Sequence, residues 1–317
     1  MSWWTGRKVL VTGGRGFLGR HVTAALSQAG AAAVALGRAE YDLTDPRAAE
    51  RAMGDHQPEL VIHLAGLVGG ILPNRTRPAE FFLTNLLVGT YMLHAAYCGG
   101  AKKFVAAGAG CGYPEHAPIP LKESAFWDGL PQPDSAPYSL AKRLLTVQSQ
   151  AYWAQYRFAS VVCIPGNVYG PHDNFNLQDA HVVPALVRKF VEAAAAGAAS
   201  VEVWGTGTAS RDFVYAGDVA AGMLRAAECL NESDVINISS GVESRIGEVV
   251  DLLVELTGFR GRVIWNRSKP EGQARRWFDV SKARERLGFV APTGLREGLG
   301  LTVEWFQANR SNPQLRL

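Results

Sequence analysis

Tyr138 and Lys142 stand four residues apart in the string Tyr138-Ser139-Leu140-Ala141-Lys142, which on a helix places a phenol and an ammonium one turn apart on one face. A cation beside a phenol favours the phenolate and draws its pKa toward the range where it exchanges a proton with a carbonyl or an alcohol. A second string, Thr12-Gly13-Gly14-Arg15-Gly16-Phe17-Leu18-Gly19, lies between an apolar run and an amphipathic one. Gly13 and Gly16 permit a tight turn and close approach of backbone to a pyrophosphate. Gly19 lets the following helix pack on the strand, and the helix N-terminus favours the anion. At the first strand-to-helix crossover such a string reads as a dinucleotide loop.

The choice of dinucleotide turns on the end of the second predicted strand. An NAD site usually places an acid there for the ribose hydroxyls; this chain has Leu36-Gly37-Arg38, and Arg15 lies inside the glycine loop. Two guanidiniums suit a 2′-phosphate, so the expected cofactor is NADP(H), with Asp42-Leu43 along its adenine. The plainer alternative is that both are solvated surface arginines.

These side chains need a frame to hold them. Apolar runs at Lys8 to Thr12, Ala32 to Leu36, Leu60 to Leu64, Lys103 to Ala107 and Ala159 to Ile164 read as strands. Helices fit Gly16 to Ala29, Pro78 to Cys98 and Tyr138 to Tyr156. Strand and helix in alternation predict the α/β class, a Rossmann-type doubly wound parallel sheet with helices on both faces. Beyond Pro165 the pattern loosens, with strands at Val201 to Trp204 and Val235 to Ile238 and helices near 216–229, 245–257 and 294–309. We expect residues 1–165 to form an NADP(H)-binding domain and 166–317 a smaller substrate lobe interleaved with it, across a soft boundary. The alanine run at 193–199 reads as a helix end.

Composition narrows the class further. A chain of 317 residues, 47% hydrophobic and 19% charged, can bury a large core. The net charge of +3 comes with no basic run of the kind that binds nucleic acid. No apolar stretch reaches the ~18 residues of a membrane span, and the opening residues run almost directly into a strand, without a signal-peptide core. Cys98, Cys111, Cys163 and Cys229 show no metal-ligand spacing, so a reduced, cytoplasmic, metal-free enzyme is expected.

Taken together, the Gly13/Gly16/Gly19 spacing, Asp42-Leu43, His63-Leu64-Ala65-Gly66 and Tyr138/Lys142 resemble the short-chain dehydrogenase/reductase family in its extended, sugar-nucleotide form. More narrowly, the chain resembles the GDP-L-fucose synthase family of GDP-4-keto-6-deoxymannose 3,5-epimerase/4-reductases. The strings that carry this are Val68-Gly69-Gly70-Ile71, Asn167-Val168-Tyr169-Gly170-Pro171-His172-Asp173-Asn174-Phe175, His181-Val182-Val183-Pro184-Ala185-Leu186, and Val203-Trp204-Gly205-Thr206-Gly207 with Arg211-Asp212-Phe213.

The resemblance implies a GDP-hexose or related nucleotide-sugar substrate, NADPH as hydride donor, and a homodimer joined through the helices that begin near Pro78 and Tyr138. By position, Cys111 becomes the base and His181 the acid that invert C3 and C5 beside a 4-keto group. A thiol and an imidazole are both tunable near neutral pH. Tyr138 becomes the donor to the C4 oxygen, with Lys142 holding its pKa down and binding the nicotinamide ribose. Phe17, Leu18, Leu64, Ala65, Gly66, Pro165, Asn167, Val168 and His181 fall along the cofactor. Arg211 would grip the diphosphate bidentately, with Lys189 and Trp204 helping to hold the nucleotide. Asn167 and residue 109 border the sugar, and the segment from Lys269 to Arg276 would cover it. Bland readings stay open: Cys111 as an inert thiol, His181 as a helix cap, Arg211 as a surface ion-pair partner, and 269–276 as a solvated loop.

Two positions depart from the family. It carries a serine or threonine two residues before the cysteine, where its hydroxyl bonds the C4 carbonyl; here that residue is Ala109, followed by Gly110. Gly166 stands where the fucose synthases usually have a threonine. A lost polarising donor costs ~10²–10³ in rate, so three readings remain: a 4-keto reductase with or without epimerisation, an epimerase without net reduction, and a non-catalytic binding module.

Overall fold

The computed structural model describes residues 2–269, 272–312, 315 and 317. Its elements run β1 (Lys8–Thr12), α1 (Phe17–Gln28), β2 (Ala32–Ala35), α2 (Pro46–His56), β3 (Leu60–His63), α3 (Ile71–Thr76), α4 (Pro78–Cys98), β4 (Lys103–Ala107), α5 (Ala136–Tyr156) and β5 (Ala159–Pro165). There follow β6 (Asn167–Tyr169), α6 (Val182–Ala195), β7 (Ser200–Trp204), β8 (Ser210–Tyr215), α7 (Ala216–Cys229), β9 (Asp234–Ile238), β10 (Glu243–Arg245), α8 (Ile246–Thr257), β11 (Arg262–Asn266), β12 (Arg275–Arg276), α9 (Ser281–Leu287) and α10 (Leu295–Asn309).

Strands buried on both faces are mostly apolar along their length, and β3 and β5 are so apart from His63 and Ser160. They lie in a six-stranded, all-parallel sheet of order β2-β1-β3-β4-β5-β9. This is the Rossmann-like arrangement expected from the sequence. Strand order reverses between β1 and β3, so their carboxyl ends flank the crevice where such folds bind ligands. One face is covered by α1 and α7 through Val22, Leu26, Val219 and Met223. The other is covered by α2, α4 and α5 through Met53, Met92, Leu93 and Leu145. A third core, around Phe190, Leu253 and Phe306, belongs to α6, α8 and α10.

The chain crosses between these bodies more than once. β9 returns from the second half to pair with β5 in the large sheet. A small mixed sheet is centred on β8, with β6 and β12 parallel to it and β10 antiparallel. β7 and β11 form a separate parallel pair.

One expectation needs correction. By length and composition α4 is apolar enough to cross a membrane, because Leu, Phe, Val and Ala occupy both its sides. It lies instead against α2 and α5, with Phe81, Asn85, Val88, Met92 and Leu93 buried.

Candidate active site

Thr12 closes β1 and organises the crevice. Its hydroxyl lies 2.8 Å from His63 Nδ1 and accepts the backbone N–H groups of Leu64 and Ala65 at 3.2 Å each. The two strand ends that flank the switch point are thereby stitched together. His63 is fully buried; burial, with Lys142's charge adding to it, pushes its pKa down to about 3 and keeps the ring neutral. Gly13 sits at φ +65°, and a Cβ there would stand 2.8 Å from the Ala65 amide nitrogen. A Cβ on Gly19 would stand 2.1 Å from the Gly13 carbonyl oxygen. These glycines hold the backbone of the loop against the Leu64-Ala65 turn, and α1 begins at Gly16 without a side-chain cap. Its first N–H groups are therefore available to an anion, and a dinucleotide pyrophosphate fits this groove. Leu18 packs into the core and Phe17 stands edge-on to His21 at 5.8 Å.

At the rim, both predicted arginines hold carboxylates. Arg15 Nη2 donates to Glu40 at 2.6 Å, and Glu40 also accepts the Gly37 N–H at 3.2 Å. Arg38 meets Asp42 at 3.3 Å, while Asp42 accepts the Thr44 hydroxyl and amide. Asp42 is thus turned toward its own loop, and Leu43 is buried in the second core.

The catalytic candidates gather at the carboxyl ends of β4 and β5. α5 carries Lys142 inward, where Nζ donates to the Ala107 carbonyl at 3.2 Å. Burial lowers its pKa to about 8. Tyr138, one turn earlier, faces Phe81 edge-on at 6.2 Å. Here the structure corrects the sequence expectation. Burial, helped by the charge of Cys111, drives the Tyr138 pKa upward rather than down, because a desolvated phenolate costs more than a desolvated lysine can return. The phenol stays protonated at neutral pH, as a proton donor must.

Cys111 lies in a single 3-10 turn, Gly110–Gly112, entered from the extended Ala109. It is half-buried. His181 occupies the N-cap position of α6, and its ring makes no capping bond. Desolvation and then the Arg276 charge lower its pKa, and Asp179 opposes them.

Three residues to which the sequence assigns no individual role also lie here. Arg276, on β12, reaches Asn167 Oδ1 through Nη2 at 3.3 Å, and its charge interacts with both Cys111 and His181. Asn85, in the middle of α4, clamps the loop after β3 by bonding the Leu67 amide and carbonyl. A Cβ on Gly66 would meet its Oδ1 at 2.6 Å. The third is the Thr12 hydroxyl. A polar side chain in an apolar helix was the available signal for Asn85; Arg276 was expected only as the last residue of the covering segment.

The nucleotide candidates lie on α6, β7 and β8 and just after β11. Trp204 is half exposed, with Lys189 Nζ 5.7 Å and Lys269 Nζ 5.4 Å from its ring centroid. Lys189 also donates to the Glu202 carbonyl at 3.0 Å. Arg211 lies on β8, where Arg276 of β12 is its register partner; its Nη1 donates to the Ser210 carbonyl at 2.6 Å. Asn167 and Val168 belong to β6, directly after Pro165 at the end of β5. Within the expected covering segment, residues 270 and 271 lie outside the described residues. Arg275 there is fixed by two 2.8 Å bonds to Glu243.

Residues 9–239 match the NAD dependent epimerase/dehydratase family. GDP-L-fucose synthase 1 of Arabidopsis thaliana is 37% identical over 306 residues, covering 96% of this chain and 94% of its own. A GDP-6-OMe-4-keto-L-xylo-heptose reductase from Campylobacter jejuni superposes with a TM-score of 0.90 at 26% identity, covering 98% of this chain and all of that one. A GDP-L-fucose synthetase from Naegleria fowleri, solved with NADP bound, superposes with a TM-score of 0.89 at 26% identity, covering 100% of this chain and 98% of that one.

Proposed function

Because the chain belongs to the NAD dependent epimerase/dehydratase family, we propose that it is an NADPH-dependent 4-keto reductase of GDP-linked sugars, with C3/C5 epimerisation preceding the reduction. What supports this reading is that Cys111 interacts electrostatically with Tyr138, Lys142 and Arg276, and Arg276 in turn with His181. When bound, NADPH supplies the hydride that reaches C4.

The chain's own residues do the rest. Cys111 takes a proton from the carbon next to the ketone and His181 returns one from the opposite face, inverting that centre. Tyr138, protonated because it is buried, gives its proton to the C4 oxygen as the alcohol forms. Lys142 holds the ribose beside that phenol and stabilises the phenolate left behind. Gly13, Gly16 and Gly19 let the backbone close on the pyrophosphate, and Arg15 and Arg38 turn from their surface carboxylates to the 2′-phosphate. Trp204, with Lys189 and Lys269 about it, and Arg211 hold the GDP moiety.

A homodimer through α4 and α5 is part of the reading. Leu83, Leu144, Val147 and Tyr156 leave apolar surface on these two helices, a pattern that favours a partner. The four free cysteines suit a reducing, cytoplasmic compartment.

The experiment is label transfer. With GDP-4-keto-6-deoxymannose and NADPH deuterated at its transferable position, deuterium should appear at C4 of the product sugar. Tyr138→Phe should slow that transfer by ~10²–10⁴. Absence of C4 label while C3 or C5 is scrambled would replace reduction with epimerisation alone.

A further inference from the structure

We infer that the sugar this enzyme prefers carries at C5 an oxygen-bearing side chain larger than the methyl of a 6-deoxyhexose, and that a recess beside Cys111 receives it. The inference rests on the reading of Cys111 as the epimerisation base.

The first support is position. A base that removes the proton from C5 touches that carbon, and whatever else C5 bears begins one bond, about 1.5 Å, away. Of the two carbons that flank the ketone, C3 leads back through C2 and C1 to the diphosphate. C5 carries the sugar's free end. The recess has a volume of about 120 Å³; Gly110 and Cys111 border it, Pro114, Ile119 and Leu121 give it an apolar wall, and Glu115, Gln132, Gln273, Arg275 and Arg276 give it polar groups. One water needs only ~10–15 Å³ of such space, so a chain of several heavy atoms fits where a methyl group would rattle.

The second support is chemistry. Arg276 spends Nη2 on Asn167 Oδ1, but its buried Nε has no partner among the described residues. Gln273 Nε2 makes only a long 3.5 Å contact with the Glu115 carbonyl. A guanidinium donates and never accepts, so the group it meets must present oxygen rather than an ammonium. A methyl group would leave these donors facing hydrocarbon, and unpaired polar groups are costly to enclose. A hydroxylated or alkoxylated C5 side chain satisfies them. Arg275 is already bound bidentately to Glu243, so Arg276, Gln132 and Gln273 are the donors that read the side chain, with Glu115 also in the wall to accept from its hydroxyls.

The test compares kcat/KM for two probes, GDP-4-keto-6-deoxymannose and a GDP-4-keto-heptose whose C5 bears a two-carbon diol, each followed by loss of NADPH absorbance. The heptose should be favoured by about 10–100-fold. In the double variant Gln132→Leu/Gln273→Leu the ratio should fall about tenfold, with the KM for NADPH unchanged, a split that simple loss of structure would not give. Equal or faster turnover of the 6-deoxy sugar overturns the inference and leaves the reductase intact. A ratio untouched by the double variant also overturns it. Turnover of neither sugar by protein that binds NADPH overturns the reductase reading, and the inference with it.

Discussion

The hydroxyl of Ser239 occupies the space beside Gly166 in which a larger residue would put its side chain: a Cβ on residue 166 would stand 2.0 Å from Ser239 Oγ and 3.0 Å from the Asp212 carbonyl oxygen. Ser239 is 2% exposed, directly after β9, the strand that returns to the main sheet from the second half of the chain. The glycine that departs from the family pattern is thus one half of a matched pair. Gly166→Thr alone should overpack the site and cost about 1–3 kcal/mol of stability. Adding Ser239→Ala should recover at least half of that, because the two side chains compete for one volume. Urea unfolding midpoints of the four proteins in the cycle measure it, and strictly additive shifts would count against the pairing.

Ala109 has no such partner in sequence. It is buried at the turn into Cys111, and neither it nor Gly110 offers a hydroxyl to the C4 oxygen. Ala109→Ser should therefore raise the single-turnover rate of NADPH oxidation, by up to ~10² if the new donor reaches the oxygen. An unchanged rate would count against a missing donor at residue 109.

The rim arginines must trade partners when NADPH binds. Arg15 leaves Glu40 and Arg38 leaves Asp42, both exposed pairs of the kind that contribute little to stability. Glu40→Gln should accordingly tighten NADPH binding several-fold, while the Arg15→Ala/Arg38→Ala pair should weaken it by at least tenfold and leave NADH binding nearly unchanged. Titration of each variant with both cofactors checks this; equal losses for NADPH and NADH would remove the 2′-phosphate assignment.

Burial holds Lys142 down to about 8 from an ordinary 10.5. In the free enzyme its ammonium is lost as pH rises through about 8, so kcat/KM for reduction should decline above that pH. The stability effect has the opposite sign. Between about pH 8 and 10.5 the unfolded chain binds more protons at this residue than the folded one, so its unfavourable contribution to stability fades as pH rises across that window. Lys142→Met should flatten the stability profile there and remove the decline along with most of the activity. A wild-type kcat/KM that stays level past pH 9 would contradict the lysine's role.

Much of this was legible in the residues, and for a definite reason. β4 and α4 appear at the predicted bounds because each is a largely apolar segment followed by glycine, and α4 opens on a proline. The glycine loop follows β1, and Lys142 on α5 reaches the carbonyl of Ala107 at the end of β4. What escaped was built on weaker contrast. α2 buries mainly alanines, Ala48, Ala49 and Ala52 with Met53, under a charged outer face, so its stripe is faint. β8 interrupts its buried run with Arg211 and Asp212, and β12 is two arginines long. Strands of that kind are specified by their neighbours rather than by their own pattern. The individual role of Arg276 escaped with them, since only the pairing of β12 with β8 carries it to the cleft. The upward shift of the Tyr138 pKa escaped too, because spacing along a helix says nothing about desolvation.

The measurement that bears most directly on the central claim is stoichiometric. With GDP-4-keto-6-deoxymannose and NADPH in D₂O, the account predicts one NADPH oxidised for each sugar reduced, with solvent deuterium at C3 and C5 of the product. Deuterium at those carbons with no NADPH consumed, or no change in either, would contradict it.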